Sequence, residues 1–251
     1  MLLGRQLSLL VLMLVEGGYI EGLVMDKFGN YFMQTLLANV DRDSFNRCVD
    51  SLTQNRERFT TLCTHQFGSH VIQAAINLSG GNLVSSTALA KRLCENITPI
   101  ASHFLGSICL LHAIEILKPA KIFCSAVARE CRPLSFSRHG HLVMTHALQR
   151  FDDDFVNTIG EHALQSFDSF MSDDFGYRVV IQVLKELQVR RLARSSFIAK
   201  LVGLVKFSAR YYPIIEYLVI NFPNHDQVRL KLIPAIVRIV EKGRDQSRNK
   251  N

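Results

Sequence analysis

Two short segments hold the residues with the most specific chemical potential. Asn30, Tyr31 and Gln34 follow Gly29, and Ser69, His70 and Gln73 follow Gly68, in the same order and at the same offsets. Each set places a ring between two uncharged hydrogen-bonding groups. Amides and hydroxyls offer donors and acceptors to the edge of a splayed nucleobase, while Tyr and His can stack on its face. Lys or Arg at these positions would have pointed to phosphate instead. Covalent chemistry has no comparable candidate. His139, His141 and His146 fit no standard metal spacing. The runs Asp152-Asp153-Asp154 and Asp173-Asp174 suit helix N-termini better than a catalytic carboxylate pair. Cys109 and His112 share a helical turn but lack an acid to orient the histidine. The chain has no Walker loop, GxGxxG, GxSxG or HExxH motif. No enzyme, cofactor or metal is expected.

The elements that would position these residues form a repeat. Anchors at Gly29, Gly68, Gly106, Gly140, Gly176 and Tyr211 are spaced by 39, 38, 34, 36 and 35 residues, a period typical of helical solenoids. In all six copies the third, fourth, seventh and eighth residues after the anchor are apolar, from Phe32, Met33, Leu36 and Leu37 to Ile214, Ile215, Leu218 and Val219. That is one stripe of a 3.6-residue helix. The residues one, two and five after the anchor lie off the stripe, so each repeat should present them side by side. Asn30 and Ser69 are also suited to cap the helices that start there. One or two further helices per unit are expected between the anchored ones, with a loop at 77–86, a capping helix at 227–240 and a frayed polar tail at 243–251. β-alternation is scarce, so the expected fold is an all-α solenoid with one continuous core over residues 1–242.

Composition limits the remaining classes. The 251 residues are 48% apolar and 20% charged, enough for a folded core. The net charge of +7 is unevenly spread: residues 190–251 carry 13 basic and 4 acidic side chains, and the first 189 carry 16 and 18. A polyanion would therefore meet its non-specific attraction at the C-terminal quarter. The six cysteines include no CxxC pair and fall largely on apolar stretches, as expected of reduced, partly buried thiols in an intracellular protein. The apolar run 7–15 is too short to span a bilayer and lacks a small-residue cleavage pattern, so it is expected to be a buried first helix. No membrane association is expected.

On Phe28-Gly29-Asn30-Tyr31-Phe32-Met33-Gln34 and Phe67-Gly68-Ser69-His70-Val71-Ile72-Gln73 the sequence resembles the Pumilio (PUF) family of RNA-binding repeat proteins. The other four anchors echo the motif more weakly. The resemblance implies a crescent of three-helix repeats whose anchored helices read one base each. It makes Asn30 with Gln34 a uracil reader stacked by Tyr31, and Ser69 with Gln73 an adenine reader stacked by His70, together reading 5′-AU-3′. The other copies depart from the code. Ser107 is followed by Ile108 and Leu111, and His141 by Leu142 and Thr145. Tyr177 and Arg178 precede Ile181. Tyr212 and Pro213 precede Glu216, which suits guanine but lacks its usual Ser partner. The family domain has eight repeats, and six are found here. The implied protein is a monomer that binds single-stranded RNA, such as elements of mRNA 3′ untranslated regions, and regulates translation or stability with protein co-regulators in the cytoplasm. Two alternatives stay open: a HEAT- or armadillo-like protein-binding scaffold, and a nucleolar relative binding pre-rRNA with little base specificity.

Overall fold

The fold is taken from a computed structural model, which describes residues 2–118, 120–192 and 195–248 and the side chains of residues 5–241 within those ranges. Every regular element among the described residues is helical, as expected of an α-solenoid. Contacts divide the chain into two compact units, residues 1–151 and 152–251, and each is taken by itself.

The first unit opens with α1 (Leu2–Glu16). Three-helix repeats follow: α2 (Ile20–Met25), α3 (Gly29–Asn39) and α4 (Arg42–Thr53); α5 (Arg56–Thr64), α6 (Gly68–Ser79) and α7 (Leu83–Glu95); α8 (Ile97–Ser102), α9 (Phe104–Ile116) and α10 (Ala120–Arg129). The unit ends with α11 (Cys131–Ser135) and α12 (Gly140–Arg150). The anchored helices α3, α6, α9 and α12 pack on one another in sequence and form one row, while α1, α4, α7 and α10 form a second. A short helix precedes and packs against each anchored one. The second unit holds α13 (Asp153–Gln165), α14 (Phe167–Ser172), α15 (Gly176–Val189) and α16 (Ser195–Leu204). A 3-10 turn over Ala209–Tyr211 then leads into α17 (Tyr212–Asn221), and a π-turn over Val228–Leu232 into α18 (Ile233–Arg248).

The anchor glycines have a steric cause. In the first unit the short helix crosses the start of the anchored helix so closely that a Cβ would meet the carbonyl oxygen six residues earlier. The distances would be 2.5 Å to Leu23 O from Gly29, 2.8 Å to Leu62 O from Gly68, 2.2 Å to Ile100 O from Gly106 and 2.6 Å to Leu134 O from Gly140. The sixth copy has Tyr211 in place of glycine, and there the short helix is replaced by the 3-10 turn. The apolar stripe forms the core between neighbouring helices: 22 of its 24 residues are buried, the exceptions being Phe32 and Val219. Phe32 lies on the uncovered flank of α3, the first helix of its row.

Several expectations need correction. The first helix is not buried: Val11 is enclosed, but Leu9 is 57% and Met13 68% exposed, because α1 packs mainly on α4. The loop expected at 77–86 shrinks to residues 80–82, since α6 runs on to Ser79 and α7 starts at Leu83. Asn82 there donates its amide to Asn46, so the loop is tied to α4. Sequence places one helix over residues 120–131 before the fourth anchor, whereas the structure has two there, α10 and α11, parted at Glu130. The expected boundary at 242 falls inside α18, whose backbone stays helical to Arg248; residues 249–251 of the expected tail lie outside the described residues. The aspartates behave as expected of helix starts. Asp152 accepts the amide of Phe155 at α13, and Asp173 accepts those of Phe175 and Gly176 at α15. None of the six cysteines is in a disulfide, and burial pushes the thiols of Cys48 and Cys131 to about 11 and that of Cys94 to about 12.

Candidate nucleic-acid interface

The residues that begin the anchored helices were assigned incorrectly from sequence. Neither Asn30 nor Ser69 caps a helix; both lie inside the first turn. The capping side chains sit three residues before the glycine. The Asp26 carboxylate accepts the amides of Phe28 and Gly29 at 2.8 and 2.7 Å, and these bonds hold its pKa below the usual carboxylate value. His65 Nδ1 accepts from Phe67 and Gly68 at 3.3 Å, and Ser137 Oγ accepts from Gly140 at 3.2 Å. His103 starts α9 the same way through Leu105 N. A polar residue three before each glycine is visible in the sequence, and its fitness for a turn was the missed signal.

The three positions after the anchor separate by depth. The residues one after it, Asn30, Ser69, Ser107 and His141, are buried. Those two after it, Tyr31, His70, Leu142 and Arg178, are exposed, with Tyr31 at 68%. Those five after it, Gln34, Gln73, Leu111, Thr145 and Ile181, are half-buried. The expectation that the first of these faces outward beside the others is thus corrected for the four copies of the first unit.

Hydrogen bonding separates the repeats further. The Asn30 amide donates to the carbonyls of Asp26 and Lys27 at 3.0 and 2.8 Å, while its Oδ1 accepts from Gln34 Nε2 at 3.1 Å. The pair is therefore held as one polar unit on α3. The Ser69 hydroxyl is buried with no hydrogen-bond partner, a state that costs stability unless a water or ligand meets it. By contrast Ser107 Oγ donates to Phe104 O at 2.7 Å and Thr145 Oγ1 to Leu142 O at 3.1 Å. The His141 ring nitrogen lies 3.2 Å from Ser137 O. These three groups serve their own backbone.

In the second unit Tyr177 is half-buried, with the exposed Arg178 guanidinium 5.7 Å from the centre of its ring. Tyr212 and Glu216 are exposed on α17. The structure thus brings Asn30, Tyr31 and Gln34 together on α3 beside Ser69, His70 and Gln73 on the adjoining α6. The two sets share a register. No group of three His, Cys, Asp or Glu side chains able to hold a metal occurs among the described residues.

The pattern described as "Pumilio-family RNA binding repeat" matches residues 19–53 and 58–83. Those are α2–α4 and α5–α7, the two repeats that carry both sets. Over these two segments the chain carries repeats of the Pumilio-family pattern. Among curated relatives, Pumilio homolog 12 of Arabidopsis thaliana is 25% identical over 178 residues, 68% of this chain. Pumilio homolog 9 of the same plant is 26% identical over 188 residues, 71% of this chain. The chain spans about a third of the length of these relatives, 29% and 32% respectively. Its fold is that of solved Pumilio-repeat structures. The RNA-binding domain of yeast Puf5p bound to AAT2 RNA superposes with a TM-score of 0.79 at 17% identity, covering 95% of this chain and 74% of that one. The domain of S. pombe Puf1 in complex with RNA gives 0.70 at 11% identity, with 92% and 62% covered. The Pumilio-family match by sequence thus lies in the first third of the chain, and the likeness of fold extends over nearly all of it.

Proposed function

We propose that this Pumilio-repeat chain binds single-stranded RNA along its anchored helices, with α3 and α6 as the base-reading pair. The observation that carries the reading is the repetition of an amide or hydroxyl, an exposed ring and a glutamine at one register on two adjoining helices. Packing does not demand that combination, since the other repeats do without it. Asn30 with Gln34 would meet a uracil edge under Tyr31, and Ser69 with Gln73 an adenine edge under His70, following the base code of the family. The unpartnered Ser69 hydroxyl would gain its hydrogen bond on binding. The repeats from α8 onward would hold the strand by shape and charge with little base selectivity.

The biological role that fits is post-transcriptional control of mRNA, exerted in the cytoplasm by recruiting or blocking other factors and without catalysis by this chain. The solved relatives include a Puf4 domain bound to the 3′ untranslated recognition sequence of an endonuclease message, which supports a target of the same kind. Selection from a random RNA pool tests the reading. The expected result is an enriched AU step whose uracil preference disappears in Gln34→Glu. A flat pool that does not respond to that substitution would overturn base reading by α3 and α6.

A further inference from the structure

The second row of helices in the first unit includes α4, α7 and α10. Between α4 and α7, Asn82 Nδ2 donates to Asn46 Oδ1 at 2.7 Å, Ser85 Oγ donates to the same oxygen, and Arg92 Nη2 reaches Gln54 O at 3.4 Å. The helices α7 and α10 enclose an open groove of about 670 Å³. Its floor is small and apolar: Cys94 and Ala126 are buried, and Ile122 is half-buried. Its rim is cationic, with Lys91 on α7 and Lys121 and Arg129 on α10, all exposed. Arg129 reaches Glu130 at 3.1 Å, and the one carboxylate lining the groove, Glu95, is engaged by Arg92 at 2.6 Å. Lys91 and Lys121 have no acid within ion-pair distance among the described residues.

We propose that this groove is a docking site for an acidic, apolar peptide segment of a partner protein. Charge complementarity identifies the occupant. The groove is a cationic island in a stretch, residues 1–189, whose overall balance is −2. Lys121 and Arg129 are eight residues apart on one helix, or about 12 Å at 1.5 Å per residue. An extended peptide covers that span in about four residues. The matching segment therefore has acids three or four positions apart, with apolar side chains between them to meet Ile122 and Ala126. RNA is the poorer match, because a phosphate backbone needs cations and gains nothing from an apolar floor. The groove lies on the α4–α7–α10 row, and the base-reading residues on the α3–α6–α9 row, so peptide and RNA would not compete for the same side chains.

Peptide display tests the proposal: a random 12-residue library is selected on the full chain and counter-selected on a Lys91→Glu/Lys121→Glu double variant. The expected outcome is enrichment of peptides with paired acids around apolar residues. Their affinity should fall at least tenfold in the double variant and in Ser125→Trp, which places bulk in the groove from an exposed position. Binding of the RNA chosen by the wild-type chain should stay within twofold in both variants, which also reports that they are folded. Selected peptides without acidic enrichment, or peptides insensitive to both variants, would overturn the proposal. So would loss of RNA affinity in the double variant without any peptide selection, an outcome that assigns the lysines to the nucleic acid. Base reading by α3 and α6 stands or falls separately, on the Gln34→Glu selection.

Discussion

The anchor glycines are the most exposed part of the physical argument, and Gly106→Ala tests them. An alanine Cβ at this position would lie 2.2 Å from Ile100 O, 2.9 Å from Ile100 C and 3.0 Å from Ile100 Cγ2. Ordinary heavy-atom contacts are about 3.5 Å, so α8 and α9 would have to part by roughly 1 Å. Overpacking of this kind costs about 1–3 kcal/mol. Alanine recovers about 0.5–1 kcal/mol of backbone entropy relative to glycine inside a helix. The control is Gly22→Ala, which lies inside α2 in the same unit with nothing within 4 Å of its added Cβ. It carries the entropic gain without the collision. The difference between the two variants therefore isolates the overpacking term, about 1–3 kcal/mol. The chain has no tryptophan, so urea unfolding followed by far-UV circular dichroism is the suitable readout. Gly106→Ala should unfold at lower urea than wild type, and Gly22→Ala at the same or higher urea. A Gly106→Ala protein as stable as Gly22→Ala would refute the claim that close helix crossing, rather than chance, places a glycine at the start of α3, α6, α9 and α12.

Two further outcomes follow from the same structure. Asp41 caps α4 by accepting the Ser44 amide, with Ser8 and Ser44 hydroxyls on its second oxygen, and these bonds lower its pKa to about 2. Because the folded value lies below the unfolded one, its stabilisation is complete above about pH 4 and is lost as pH falls through 2. Asp41→Ala should therefore cost about 1 kcal/mol at neutral pH and a diminishing amount in acid titrations; an equal cost at pH 7 and pH 2 would contradict the capping role. Tyr31→Ala removes a ring that the fold hardly uses, so it should leave the urea midpoint unchanged while weakening the selected RNA by about 1–3 kcal/mol in a filter-binding assay. Unchanged affinity would argue that Tyr31 does not stack.

Much of this architecture was legible in the sequence because a solenoid writes its period into the chain. Each apolar stripe must meet the next helix, so Val71, Ile72, Ala75 and Ile76 recur at the spacing of Val143, Met144, Ala147 and Leu148 and are buried alike. Periodicity reports the orientation of a helix and says less about its ends. Asn77 and Leu78 read as loop because Gly80-Gly81 follow them, yet Ser79 bonds back to the Ala75 carbonyl at 2.7 Å and keeps the helix going. Exposure at chain-terminal helices was equally hidden, since Leu9 and Met13 look like core residues in any local window. At the candidate interface the residue types were visible, but their depth was not. An off-stripe position looks solvent-facing until the short helix that covers it is placed.

That depth changes what each position can do. In the first unit the residue after the anchor is buried, so its side chain must satisfy its polar groups locally or leave them unpaired. Asn30, Ser107 and His141 turn to nearby carbonyls, and Ser69 does not. Identity at this position is therefore shaped by packing as well as by recognition. The residues two and five after the anchor carry no such constraint, as Tyr31 and His70 are free of the core and Gln34 and Gln73 only half enter it. Where these free positions are Ile108 and Leu111, or Leu142 and Thr145, the buried Ser107 and His141 lack a partner with which to read an edge. On the proposed reading, a repeat would lose base recognition at these two positions while its core and its apolar stripe persist. All six copies keep that stripe, and only two, on α3 and α6, combine an amide or hydroxyl, a ring and a glutamine at these positions.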